Sequence, residues 1–255
     1  MSSSVVVTGG GRGVGRAIVE RLLAQDDGPV VVMERDRATL DWAGDQITGG
    51  RLVPVIGDAA DERIAARAVE AAGTLRGWVN NAAVFPTGWL HEMPAREAGA
   101  LIARNVEPVV TGCRAAIGAF LAAGTGGSIV NISSHQAQRP VRGAFAYATA
   151  KAAIEGLTRA LAVDYGPQGV RVNALALGSI STDRSDAHVA ALDPAAREAF
   201  DREIRLLQPL GRMGRTDEVA EAAAFLLSAH ASFINGAILP VDGGRSAVGR
   251  DPEEL

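Results

Sequence analysis

Short apolar runs rich in β-branched residues alternate along the chain with longer, alanine-rich stretches of helical period. The runs fall at Val5–Val7, Val30–Met33, Leu52–Ile56, Trp78–Asn80, Ser128–Ile132, Val170–Leu175 and Ala237–Val241. Between most of them the pattern predicts helices over Val14–Gln25, Arg37–Ile47, Glu62–Ala72, Arg96–Leu121 and Tyr147–Tyr165. Strands that are apolar throughout, each followed by a helix, belong in a parallel sheet covered on both faces. The expected fold is therefore α/β: a single-domain, doubly wound parallel sheet of about seven strands with helices on both sides. The domain is expected to span residues 1–248, and the charged tail Gly249–Leu255, with its Pro252, is read as flexible. One connection breaks the rhythm. Ser179–Pro209 is polar, holds two candidate short helices and is too long for a turn, which makes it a lid, a binding loop or a plain surface excursion.

Composition narrows the picture without changing it. A chain of 255 residues, 47% hydrophobic and 21% charged, can bury a full core as one domain. A net charge of −4 with no lysine or arginine run argues against a nucleic-acid surface. Cys113 is the only cysteine, so neither an intramolecular disulfide nor a cysteine-rich metal site is available, and no metal site is expected. Within the apolar run Val109–Leu121 it reads as a small buried residue rather than a nucleophile. The N-terminal MSSSVVVTGGG has neither a charged leader nor a long apolar stretch, so no signal peptide or membrane span is expected and the chain reads as cytoplasmic.

Chemistry first enters directly after the first strand, at Thr8-Gly9-Gly10-Gly11-Arg12-Gly13-Val14-Gly15. Glycines let a backbone turn tightly and approach a ligand, and the helix that follows offers free N–H groups to a diphosphate. The glycines that matter are spaced G-x-x-x-G-x-G, at Gly9, Gly13 and Gly15; the bland alternative is a flexible turn. Glu34 closes the second strand, where an acidic side chain can accept bonds from an adenosine ribose and repel a 2′-phosphate. That favours NAD over NADP. Arg12 and Arg35 pull the other way, since either can pair with a phosphate.

Tyr147 and Lys151 stand four residues apart in YATAK, with Ser134 thirteen positions before the tyrosine. Residues i and i+4 share one helix face, so phenol and ammonium can enter one pocket. A cation beside a tyrosine favours the phenolate and lowers its pKa. Alone, the spacing also describes a packed ring beside a solvated lysine.

TGGGRGVG after the first strand, NNAA after the fourth, SS followed by YATAK, and the late VNALALGSIST together resemble the short-chain dehydrogenase/reductase family, almost end to end as far as the VDGG at Val241–Gly244. The resemblance implies a Rossmann-type fold and hydride transfer with NAD, NADP remaining possible. It implies Tyr147 as catalytic acid/base and Lys151 as the residue that lowers its pKa and holds the nicotinamide ribose. Ser134 would bond the substrate oxygen, and Asn105 would support a water-linked proton relay. Asp58 and Ala59 match the family's adenine site, Asn81 and Ala82 the stretch beside the adenosine ribose. Ile180 and Thr182 match the positions that meet the carboxamide and diphosphate. For isolated residues there are plainer roles: Asp58 caps a turn, Ser134 ends a strand, Asn105 bonds backbone.

The chain also departs from the family's pattern. Ala83 stands where NNAG has its last glycine, Leu177 replaces the proline of the PG pair, and Ala137 and Pro108 replace frequent glycines. No reacting group is lost, but the pocket's shape becomes less transferable, and losing proline's fixed φ at Leu177 is expected to loosen the entry to the substrate loop. The candidate lining is His135, Gln136, Arg139, Phe145 and parts of Ser179–Pro209. His135 reads as a substrate contact or an exposed loop histidine; Arg139 and Arg142 receive an anion or are solvated charges.

The leading expectation is interconversion of a small secondary alcohol and a ketone with NAD(H). PLGRMGRTDEVA and NGAILPVDGG equally resemble an NADPH-dependent 3-oxoacyl-type ketoreductase, and a dinucleotide-sensing regulator without turnover is the alternative of another class. The family implies a homodimer or homotetramer through Arg96–Leu121, Tyr147–Tyr165 and Ala237–Val241.

Overall fold

The computed structural model describes residues 3–25 and 28–249. Apart from Gly249, the tail expected to be flexible lies outside them. Seven parallel strands form one sheet: β1 (Ser4–Thr8), β2 (Val30–Glu34), β3 (Leu52–Ile56), β4 (Leu75–Asn80), β5 (Gly127–Ser134), β6 (Val170–Leu177) and β7 (Ile238–Val241), in the order β3-β2-β1-β4-β5-β6-β7. Order reverses between β1 and β4, and a doubly wound sheet opens its ligand crevice there, beyond the carboxyl ends of the strands. The helices are α1 (Gly13–Gln25), α2 (Gly44–Thr48), α3 (Glu62–Ala72), α4 (Ala95–Ala123), α5 (Phe145–Tyr165), α6 (Asp183–Ala190), α7 (Pro194–Leu207) and α8 (Thr216–Leu227).

Because side chains alternate along a strand, consecutive valines serve opposite faces. Val5 and Val7 pack with Ile18, Leu22, Val219 and Leu226 under α1 and α8. Val6 packs with Ala68, Ile117, Phe120 and Ile154 under α3, α4 and α5. A polar chain crosses this second face: Trp78 Nε1 donates to Asn80 Oδ1 (2.8 Å), Asn80 Nδ2 to Asn131 Oδ1 (2.8 Å), and Asn131 Nδ2 to Thr158 Oγ1 (3.0 Å). Thr158 Oγ1 in turn donates to Ile154 O at 2.8 Å, which ties α5 to the middle of the sheet. Cys113 sits beside this chain, buried, its thiol pushed up to about 12 by burial. The inert reading holds.

The structure differs from the sequence pattern in three respects. The helix expected over Arg37–Ile47 is a 3₁₀ segment, Arg37–Ala43, followed by α2. Asp36 caps Ala38 N at 3.0 Å while Thr39 Oγ1 donates to Asp36 O, and such local bonds compete with the α-helical ladder. Strands β5 and β6 run on to Ser134 and Leu177, since those two residues are paired with each other. Helix α8 was not among the expected helices, although it carries the return to β7. Its signals are Glu218, whose carboxylate accepts from Arg215 N at 2.8 Å, and the buried set Val219, Ala220, Ala223, Ala224, Leu226 and Leu227. Helix α4 is long and apolar enough to cross a membrane, but Val109, Cys113, Ala116, Ile117 and Phe120 are buried in the second core.

Candidate functional site

The glycine segment turns from β1 into α1 with Gly9 and Gly13 at φ 67° and 54°, a region that side chains disfavour. Gly15 is needed for a different reason: a methyl there would stand 2.0 Å from Gly9 O and 2.5 Å from Asn81 Nδ2. Asn81 holds the turn from the far side, Nδ2 donating to Thr8 O (3.1 Å) and Gly9 O (2.9 Å). Thr8 Oγ1 accepts from the N–H groups of Asn81 and Ala82, both at 3.0 Å. Bare backbone thus faces a cleft of about 340 Å³. Gly9, Arg12, Val14, Gly15, Glu34, Arg35, Asp58, Ala59, Asn81 and Ala82 line it; so do Arg104 and Glu107 of α4, which the sequence patterns did not single out.

Glu34 enters the cleft in a fixed pose, with Oε2 accepting from Gly11 N (3.1 Å) and Oε1 from Arg35 N (2.9 Å). Asp58 accepts from Ala60 N at 2.9 Å, the local turn bond that its plainer role implies. Thr182 caps α6 against Ser185, and its methyl lies 3.5 Å from where a side chain on Gly13 would begin. Ile180 pairs with Gly214 in an isolated bridge. The root of the substrate loop therefore meets the glycine turn.

Beyond this cleft, β5 ends at Ser134 and α5 brings Tyr147 to it. The Ser134 hydroxyl, which accepts from Gln136 N at 3.2 Å, is near enough to the phenol to draw its pKa down. Lys151, one turn further along α5, is buried and donates to Ile132 O at 2.6 Å. Its ammonium lies 5.4 Å from the Tyr147 ring centroid. Burial brings Lys151 down to about 8 and pushes Tyr147 up. The groups that pull the phenol back are Ser134 and Arg184, not Lys151. The sequence assigned that pull to the lysine; its ammonium is spent instead on the backbone carbonyl beneath the ring. Asn105 is buried on α4, Oδ1 accepting from Val84 N at 2.9 Å while Nδ2 has no partner.

His135 is neither exposed nor free. It is 7% accessible, and its Nδ1 lies 3.1 Å from Leu177 O. A carbonyl only accepts, so Nδ1 carries the proton and Nε2, buried without a partner, is an acceptor. Burial and the nearby Arg245 lower the imidazole's pKa, keeping it neutral. Leu177 is no loose substitute for proline either, because β6 runs through it with partners on both sides, Ser134 and Val241. Arg139 and Arg142 are exposed loop charges. Phe85 escaped the sequence patterns: its ring packs on Tyr147 with centroids 4.7 Å apart, and the Arg184 guanidinium lies 5.8 Å from the centroid of the Phe85 ring.

Comparison with known proteins accounts for this arrangement. A family model described as enoyl-(acyl carrier protein) reductase matches residues 9–246. The 2-(S)-hydroxypropyl-CoM dehydrogenase 3 of Xanthobacter autotrophicus is 33% identical, with 96% of each chain covered. Glucose 1-dehydrogenase 2 of Bacillus subtilis is 34% identical over 94% of this chain and 93% of its own. The crystal structure of levodione reductase superposes with a TM-score of 0.86 at 31% identity, covering 98% of this chain and 99% of that one. A putative 2-deoxy-d-gluconate 3-dehydrogenase from Agrobacterium tumefaciens, solved with bound NADP, gives 0.83 at 32% identity over 96% and 97%. With a seven-stranded Rossmann-type sheet, a glycine turn and whole-length relatives of this kind, the chain belongs to the short-chain dehydrogenase/reductase family and is an NAD(P)-dependent oxidoreductase acting on CH–OH donors.

Proposed function

We propose that the protein interconverts a secondary alcohol and a ketone with NAD(H), Tyr147 acting as acid and base. The observation that carries this reading is that Ser134, Tyr147 and Lys151 gather at the end of β5 and the start of α5, beyond a cleft lined by the glycine turn. The residues fit a dinucleotide: Gly9, Gly13 and Gly15 leave backbone bare for a diphosphate, Glu34 offers a held carboxylate to a ribose, and Asp58 and Ala59 flank an adenine position. A bound nicotinamide supplies or takes the hydride at the carbinol carbon. In reduction, Ser134 and Tyr147 donate to the oxygen on which negative charge grows, and Tyr147 delivers the proton. Burial keeps the phenol protonated at neutral pH, the state a proton donor needs. In oxidation the same groups act in reverse, and the pull of Ser134 and Arg184 on the phenol then works in the catalyst's favour. The buried ammonium of Lys151 would hold the nicotinamide ribose, and the unpartnered Nδ2 of Asn105 is a donor for the water of a proton relay. Val14, Ala82, Ile180 and Thr182 complete the cofactor's surroundings.

NAD is favoured by Glu34, whose charge repels a 2′-phosphate. Arg12 and Arg35 line the same cleft and favour the second reading, an NADPH-dependent ketoreductase of the 3-oxoacyl type. Apolar Val110 and Val163 are exposed on α4 and α5, and Phe233 and Leu239 beside and on β7, which supports a homodimer or homotetramer. The test is nicotinamide-linked absorbance with a panel of ketones and alcohols, alongside dissociation constants for NADH and NADPH. Y147F is expected to lose turnover by about 10²–10⁴-fold while binding cofactor normally. An active Y147F sinks the assignment of the acid, tighter binding of NADPH sinks that of the cofactor, and tight binding without any turnover favours a sensor.

A further inference from the structure

Arg184 is the second residue of α6, and the Thr182–Ser185 capping box fixes the root of that helix beside Gly13. Its guanidinium lies 5.8 Å from the Phe85 ring, which packs at 4.7 Å and 57° on Tyr147. The cation is thus one ring removed from the phenol and close enough to act on its charge. No ion pair holds it: among the described residues no carboxylate pairs with Arg184, and Asp186, two positions on, accepts from Ser181 Oγ at 2.6 Å. Lys151 lies 5.4 Å from the centroid of the Tyr147 ring, its ammonium donating to Ile132 O at 2.6 Å. One cation, Lys151, thus stands by the Tyr147 ring and a second, Arg184, by the Phe85 ring packed on it. A guanidinium with no carboxylate partner among the described residues is open to one from a ligand, which its planar fork receives with two parallel hydrogen bonds. The Phe85 ring lies within cation–π reach of that guanidinium.

We propose that Arg184 is a specificity-determining residue that receives the carboxylate of the substrate, so that the alcohol and ketone are a hydroxy acid and its oxo acid. This rests on the reading of Tyr147 as the acid/base that binds the carbonyl end. The carboxylate lies a few bonds from the reacting carbon, on the side of Phe85, where α6 begins. Pairing fills the open fork of Arg184 and leaves Lys151 to the cofactor side.

The experiment uses matched probes with the full chain and saturating NADH: acetoacetate and levulinate, each against its methyl ester. The wild-type enzyme is expected to prefer an acid over its ester by about tenfold or more in kcat/KM, since one charge-assisted pair is worth that much. R184Q should remove most of that preference through KM for the acid, and R184K should restore part of it. Equal use of acids and esters by the wild type overturns the inference and leaves the proposed function standing. So does an R184Q variant that keeps the preference, or one whose defect lies in NADH affinity, which would assign the cation to the cofactor. If no probe of either charge turns over although NADH binds, and ketones and alcohols at large are equally inert, the proposed function fails and the inference goes with it.

Discussion

At Gly15 a single added methyl meets a carbonyl oxygen at 2.0 Å, whereas α6 and α7 together bury one side chain, Ile204. The two regions meet where Thr182, at the root of α6, stands beside Gly13. The glycine turn is fixed from three sides, by β1, by Asn81 at the end of β4 and by the start of α1. The substrate loop is rooted at Thr182 and Ile180 and otherwise lies on the surface. A region set by close contact suits a ligand whose shape never varies, which is the position of a shared dinucleotide. A region with little buried area can be rebuilt at small cost, which suits a ligand that differs from one relative to the next. The relatives' names agree: at 33–34% identity they cite hydroxypropyl-CoM and glucose.

The contrast can be broken, most directly at its rigid end. G15A is expected to destabilise the fold by about 2–4 kcal/mol and to abolish NADH binding, because neither Gly9 nor Asn81 can retreat. Urea unfolding and NADH fluorescence measure both; a stable variant that binds normally would erase the difference between the two regions. A smaller effect of opposite sign is expected beneath the phenol. Lys151 is buried with its pKa lowered to about 8, so its charge is a cost to folding at neutral pH. Between that value and the usual 10.5 the unfolded chain binds more protons than the folded one, so this residue's contribution to stability rises with pH across the window. K151M should therefore lose turnover yet gain about 1–2 kcal/mol at pH 7, with the gain shrinking by pH 10. A K151M variant less stable than wild type at pH 7 would mean that the Ile132 bond outweighs the burial cost. The smallest effect belongs to the loop. R197A removes an exposed pair with Asp201 and should change stability by less than about 0.5 kcal/mol; a larger loss, read by the same urea titration, would show α7 to be part of the framework.

The same contrast decides how much was legible in the sequence. Strands and glycine turn are written in local terms, apolar runs and forced glycines, and Tyr147, Ser134 and Lys151 meet because β5 and α5 have unambiguous patterns. Helix α8 was hidden by its alanines, which carry little amphipathic contrast. Residues that act through tertiary neighbours were not legible: Phe85 comes to Tyr147 from the loop after β4 and Arg184 to Phe85 from the first turn of α6, and nothing in their spacing announces it. His135 went unplaced for a related reason. A histidine beside a serine looks exposed until the carbonyl that buries it, forty-two residues away on β6, is known. The lysine's pull on the phenol was read from helical spacing and from the family resemblance, and neither says which carbonyl competes for the ammonium.

The polar chain from Trp78 through Asn80 and Asn131 to Thr158 has a bearing on how this sequence can change over generations. Every internal member gives one bond and takes another, so exchanging any one of them for an apolar residue strands a partner in the core at a cost of about 1–3 kcal/mol. A route to an all-apolar version must therefore pass through less stable ancestors or alter several codons together. The interior under α5 is held in place by that barrier between neighbouring sequences, while α6 and α7, free of such linkage, can drift one residue at a time toward new substrates.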